Sequence, residues 1–226
     1  MLSCRQLSRD YRGPQGPVRV LRELSFEAAR GDMVVIRGPS GAGKTTLLLT
    51  LGGMLRPNSG SVMLDGQDLY SLSAADRARL RNRRIGFVFQ LFHLVPYLSV
   101  HENILAGLPG SVDGTLRRRA SGLLEELGLA SRENHRPAAL SAGERQRTAL
   151  ARALLKEPSV MLADEPAGNL DPANGAVVFQ HLEDYRRKGG TVIVVTHGTE
   201  SIPATARRLR LENGVLLEES VSAQRP

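Results

Sequence analysis

The hydrophobic pattern changes character along the chain, and each change marks a structural boundary. Residues 2–29 alternate loosely and carry strand-type side chains around a Gly13-Pro14-Gln15-Gly16-Pro17 turn, which predicts two antiparallel strands. Met33-Val34-Val35-Ile36-Arg37, Ile85-Gly86-Phe87-Val88-Phe89, Ser159-Val160-Met161-Leu162-Ala163 and Thr191-Val192-Ile193-Val194-Val195 are short apolar runs with little alternation. Such runs belong to parallel strands covered on both faces. A turn at 57–60, a strand at 61–64 and a turn at Asp65-Gly66 follow the first helix, and 207–219, broken by Asn213-Gly214, reads as a closing hairpin. Helical periods cover 74–84, 100–106, 116–127 and 173–188, the last stopped by Gly189-Gly190. Ser99 and Glu102 form a capping box at the start of the second of these. Strand patterns vanish between residues 91 and 157. The expectation is one α/β domain over residues 1–226, with a parallel sheet, an N-terminal antiparallel β-subdomain and an inserted α-helical subdomain at about 91–157.

Composition narrows this only slightly. The 226 residues carry a net charge of +7, which suits an anionic partner or a well-solvated exterior. Arg77, Arg79, Arg81, Arg83 and Arg84 crowd one helix without the interleaved aromatics that stack bases, so a solvated face is expected and no nucleic acid. Arg117, Arg118 and Arg119 are expected on the outside of the 116–127 helix. Cys4 is the only cysteine, which excludes an internal disulfide and fits a reducing compartment. No apolar run reaches the roughly 18 residues of a membrane-spanning helix.

The first apolar run leads into Gly38-Pro39-Ser40-Gly41-Ala42-Gly43-Lys44-Thr45, then Thr46 and a breaker-free stretch. G-x-x-x-x-G-K-T between a strand and a helix is the phosphate-binding loop. Its glycines let backbone N–H groups turn toward phosphate oxygens, and the helix start adds its positive dipole end. Lys44 is placed for the β- and γ-phosphates and the Thr45 hydroxyl for Mg²⁺. The chain therefore handles a nucleoside triphosphate.

Three further strands end in polar groups: Gln90, Asp164-Glu165 and His197. Ligands of open α/β sheets bind at the carboxyl ends of the strands, so one site can collect them all. Asp164 suits Mg²⁺, Glu165 the attacking water as its base, Gln90 the metal and the water, and His197 the γ-phosphate and Glu165. An acid pair after a strand is also a common turn, and a lone histidine is commonly structural; the order of the groups behind the loop carries the reading. Tyr11 is either an ordinary strand aromatic or a stacking platform for adenine.

Leu140-Ser141-Ala142-Gly143-Glu144-Arg145-Gln146-Arg147, then Asp164-Glu165-Pro166 and Gly168-Asn169-Leu170-Asp171, resemble the signature motif, Walker B strand and D-loop of ABC-transporter ATPase subunits. The resemblance covers nearly the whole chain. It implies ATP hydrolysis with Mg²⁺ held by Thr45, Gln90 and Asp164. It also implies a head-to-tail homodimer made by ATP, in which Ser141, Ala142, Gly143 and Glu144 meet the partner's nucleotide. Ser141 and Gly143, ahead of a helix, offer a hydroxyl and free N–H groups to an anion. Tyr11 then resembles the adenine-stacking aromatic, Gln90 the Q-loop glutamine and His197 the switch histidine.

Phe87-Val88-Phe89-Gln90, Phe92-His93-Leu94-Val95-Pro96 and Glu102-Asn103 are similar to the group containing LolD, MacB and FtsE, and Asn134-His135-Arg136-Pro137 most resembles its lipoprotein-releasing branch. That implies FtsX/MacB-like permease partners and a peripheral place on the cytoplasmic face of the inner membrane, with 91–101 as the contact. ATP-driven mechanical signalling of the FtsE type uses the same motifs. A DNA-acting ABC ATPase would carry a longer insertion. Three positions depart from the family pattern: Ala142 for a usual glycine, Ala167 for a usual threonine and Gly198 for a usual aspartate.

Overall fold

The computed structural model describes residues 1–14, 16–108, 110, 112–198 and 202–219; Gln15 of the first predicted turn lies outside them. Strands β1 (Leu2–Gly13) and β2 (Gly16–Ala28) pair antiparallel from Leu2↔Ala28 to Gly13↔Gly16, as the alternating pattern predicts. On the other edge of β1 lies β4 (Ser59–Leu64), paired in turn with β5 (Gln67–Asp68) across the Asp65-Gly66 turn. The β4 strand begins two residues before the predicted 61, because Ser59 pairs with Ser8 of β1.

The second sheet is built from the apolar runs. β3 (Met33–Arg37), β6 (Ile85–Phe89), β7 (Val160–Asp164) and β8 (Thr191–Thr196) are parallel, and β9 (Arg207–Glu212) joins them parallel to β3. With β10 (Val215–Glu218) antiparallel at one edge, the order is β10-β9-β3-β8-β7-β6. Every residue of β7 and β8 is buried, which explains their unbroken apolar sequences. One core cluster fills the space between this sheet, the N-terminal sheet and α1 (Lys44–Leu51), around Leu2, Leu47, Leu48 and Ile193. The other covers the opposite face with α3 (Val100–Leu105), α4 (Gly114–Glu126), α5 (Ala142–Leu154) and α6 (Pro172–Arg187).

Helices α3, α4 and α5 occupy the stretch between β6 and β7. Ser99 and Glu102 cap α3 reciprocally, and Ser141 and Glu144 cap α5 in the same way. Helix α4 starts at Gly114, not 116, because the Asp113 side chain accepts from the Leu116 N–H and so sets the N-cap earlier. Arg117 and Arg118 are exposed, but Arg119 turns inward to Glu157 and to the Leu154 carbonyl. The arginine-rich α2 (Ala74–Arg84) has no fully buried residue, but its face is only partly solvated: the Arg77 guanidinium lies 5.4 Å from the Tyr70 ring centre and Arg81 donates to Gly53 O at 3.2 Å. No helix among the described residues is long and apolar enough to cross a membrane.

Candidate active site

Adjacent parallel strands bring β3, β8, β7 and β6 to one edge, and the polar groups after them converge there. The loop from Gly38 to Gly43 leaves β3 and turns into α1. Gly43 caps α1 with φ of 95°, and a Cβ there would lie 2.6 Å from Val20 Cγ1, so only glycine fits. Lys44 is buried; its Nζ donates to Gly38 O at 2.8 Å and Pro39 O at 3.0 Å and sits 3.7 Å from Glu165 Oε1. The ammonium is thus fixed at the loop mouth, where incoming phosphate oxygens can take its donors.

Glu165 is the most constrained residue of the site. Its N–H donates to Val195 O at 2.9 Å, and its backbone is left-handed, with φ of 46°. Oε2 accepts from Thr196 Oγ1 at 2.8 Å and from the His197 N–H at 3.2 Å, while Oε1 lies 2.8 Å from His197 Nδ1. Nδ1 is thus the ring nitrogen that faces the carboxylate. The His197 side chain is 63% exposed against 10% for Glu165. The carboxylate is therefore held from behind, and the imidazole stands at the front.

Asp164, the last residue of β7, is buried beside it. Burial raises its carboxyl above the usual range; the Thr45 hydroxyl opposes the rise, Glu165 adds to it and Lys44 opposes it. Gln90 lies across the mouth: its Nε2 donates to Asn169 Oδ1 at 3.3 Å, and Asn169 Nδ2 donates back to Gln90 O at 2.9 Å. Tyr11 stands on the other side of the loop, 39% exposed, with its hydroxyl 3.4 Å from Thr46 Oγ1 and the Arg9 guanidinium 4.9 Å from its ring centre.

Ser141, Ala142, Gly143 and Glu144 lie at the start of α5 and are not part of this cluster. The Glu144 carboxylate accepts from the Ser141 N–H at 2.7 Å and from Arg132 Nε at 2.8 Å, which hold its pKa at about 2. It is occupied with capping. Gly143 is glycine for a steric reason: a Cβ would lie 2.3 Å from Asn174 Oδ1.

The sequence profile described as "ABC transporter" matches residues 21–168, more than half of the chain. The chain belongs to the ABC transporter family. ABC ATPases bind and hydrolyse ATP, so the chain is an ATP-hydrolysing enzyme. The chain is 44% identical over 223 residues to the lipoprotein-releasing system ATP-binding protein LolD 1 of Rhodopirellula baltica, covering 96% of each. It is 39% identical to the LolD protein of Shewanella sp. (strain MR-4), covering 99% of this chain and 98% of that one. Among solved structures it resembles the dimeric post-hydrolysis state of the ATP-binding cassette MJ0796 bound to ADP and Pi, with a TM-score of 0.89, 32% identity and coverage of 99% and 100%.

This ABC ATPase accommodates its sequence departures differently. At Ala167 the neighbouring backbone is Gly175, where an added Cβ would lie 3.3 Å from Ala167 Cβ; nothing in the fold requires alanine in place of threonine. Among the described residues a Cβ at Gly198 would meet nothing closer than Thr196 Oγ1 at 3.5 Å, so they leave space for a side chain there. Nothing in the fold explains Ala142. The structure also gives contacts that the sequence reading assigned to no residue. Thr196, Asn169, Arg152 and the fully buried Asn103 all hold the site or the segment behind Gln90. Asn103 accepts from the Val95 N–H at 2.7 Å and donates to Val95 O and Leu98 O. A buried amide inside an otherwise apolar helix face was the available signal.

Proposed function

We propose that this ABC ATPase powers a membrane complex that releases lipoproteins, the process named in its relatives. The observation that carries the chemistry is the fixed Glu165 carboxylate, backed by Thr196 and faced by His197 and Lys44. Glu165 takes the proton of the attacking water, Lys44 neutralises the β- and γ-phosphate oxygens, and His197 Nε2 meets the γ-phosphate. Thr45, Asp164 and the Gln90 carbonyl oxygen are hard oxygen donors that suit Mg²⁺. Mg²⁺ there supplies neutralisation of phosphate charge. A buried Asp164 whose ionised form is disfavoured gains by facing a cation.

Ser141 and Gly143 serve the nucleotide of a second copy, packed head to tail. Ser141 and Gly143 stand nearly a hundred positions past Lys44, at the start of a helix of the inserted stretch, which supports this reading. Tyr11 stacks on adenine with the ring face not covered by Arg9. The complex holds the chain at the cytoplasmic face of the inner membrane, through permease subunits that dock against residues 91–101. Leu91 is 70% and Tyr97 71% exposed in that segment, the kind of apolar anchors a docked helix needs.

The experiment pairs two variants assayed with the membrane partner present. Lys44→Ala loses ATP binding and hydrolysis together. Glu165→Gln keeps the hydrogen-bonding shape but not the base, so it binds ATP and turns over about a hundredfold more slowly or worse. Normal turnover by Glu165→Gln removes the assignment.

A further inference from the structure

The segment behind Gln90 has an uncommon backbone. Phe92 and His93 are consecutive residues with positive φ, 59° and 48°. Residues that carry a Cβ enter this region at a cost, so something must hold the pair there. The local bonds are those of tight turns: Phe92 N–H to Phe89 O at 3.1 Å and His93 N–H to Leu91 O at 2.6 Å. The carbonyls of the two strained residues are both taken by one side chain. Arg152 donates from Nη2 to Phe92 O at 2.7 Å and from Nη1 to His93 O at 2.6 Å.

Arg152 is suited to little else. It lies two residues before the end of α5, half-buried. Desolvation alone pulls its guanidinium below the usual value, with no acidic neighbour offsetting it. The two carbonyl dipoles are what stabilise its charge. The planar fork matches two successive carbonyls, whereas a lysine ammonium on a flexible stem engages one at a time. The path of the side chain is shaped to fit: a Cβ on Gly107 would lie 2.9 Å from Arg152 Cγ. The helix that carries Ser141 and Gly143 at its start thus grips, near its end, the turn that begins just past Gln90.

We propose that Arg152 is a positioning residue that holds the 91–93 turn in its left-handed form and so fixes where Gln90 stands relative to α5. The proposal rests on the reading of Gln90 given above for its effect on turnover, but not for its effect on the turn.

The test is amide hydrogen exchange on the purified full chain without nucleotide, alongside steady-state ATPase measurement. Arg152→Ala raises the exchange of amides 92–98 by about tenfold relative to β7 and β8. It lowers kcat by about tenfold while the KM for ATP stays within about twofold. Arg152→Lys recovers only part of both. A second substitution separates a clamp from general packing. His93→Gly in the Arg152→Ala background brings exchange and kcat back to within about threefold of the parent chain, because glycine adopts positive φ without a clamp. If Arg152→Ala does not fold, the same comparison is made with Arg152→Lys and its His93→Gly double variant. Unchanged exchange at 92–98, or a double variant no better than the single one, overturns the proposal. A parent chain with no ATPase activity even with its membrane partner present would sink the functional reading and leave the exchange result standing.

Discussion

Thr196 Oγ1, at the end of β8, donates a 2.8 Å hydrogen bond to Oε2 of Glu165, the first residue past β7. The bond exists because β7 and β8 are neighbours in register, Asp164 opposite Val195. It fixes one carboxylate oxygen and leaves the other to His197 and Lys44. Thr196→Val keeps the shape and removes the donor, so Oε2 retains only the His197 N–H at 3.2 Å. The expected result is a fall in kcat of about tenfold with ATP affinity within about twofold, restored by Thr196→Ser. Steady-state kinetics decide it, and an unchanged kcat would show that the hydroxyl does not orient Glu165.

Tyr11 presents a ring with Arg9 on one side and its hydroxyl near Thr46. If its remaining face stacks on adenine, the contact is worth about 0.5–1.5 kcal/mol. Tyr11→Ala then weakens ATP affinity by up to about tenfold with little change in kcat. Tyr11→Trp is tolerated. Titration with a fluorescent ATP analogue reads this directly; equal affinity in Tyr11→Ala returns the residue to an ordinary strand aromatic.

Ser141 caps α5, its oxygen accepting from the Glu144 N–H at 3.2 Å, which leaves the hydroxyl hydrogen to donate outward. In the proposed head-to-tail dimer that donor meets the partner copy's nucleotide. Glu165→Gln with ATP shifts from monomer to dimer in light scattering, and adding Ser141→Arg abolishes the shift. A Glu165→Gln/Ser141→Arg chain that still dimerises places the interface elsewhere.

Glu144 gives a pH dependence whose sign is fixed. Its folded-state pKa of about 2 lies below the ordinary 4.5, so the carboxylate contributes stability above about pH 4.5 that is lost as the pH falls toward 2. Glu144→Gln keeps part of the cap but not the ion pair with Arg132. The variant is about 1 kcal/mol less stable near neutral pH, a drop in Tm of about 3 °C. The gap narrows steadily below pH 4.5, the ordinary value. Thermal melts from pH 3 to 7 follow it; a gap constant across that range contradicts the assignment.

Much of this protein was legible because its signals are local. The four apolar runs predict buried parallel strands, and all four lie in one sheet. The phosphate loop is readable because its glycine and lysine requirements act over eight consecutive positions. Ser99 with Glu102 marked a helix start because a capping box spans a single turn. The polar groups at the strand ends followed from the rule for open α/β sheets, and Lys44, Asp164, Glu165 and His197 do converge.

What the sequence could not contain is who stands beside whom. A hairpin was legible at 207–219, but only the fold decided that β9 runs parallel to β3, with β10 at the edge of the sheet beyond it. Arg119 looks like its exposed neighbours until α4 packs near Glu157. Thr196 reads as the last residue of a strand, and becomes a partner of Glu165 only through the β7–β8 register. Asn169 reaches Gln90 from 79 positions away, and Arg152 reaches Phe92 from 60. These contacts depend on strand order and helix placement, which are set by burial over the whole chain. Residue type and spacing determined which groups this protein carries for its chemistry; tertiary packing decided which side chains hold them in place.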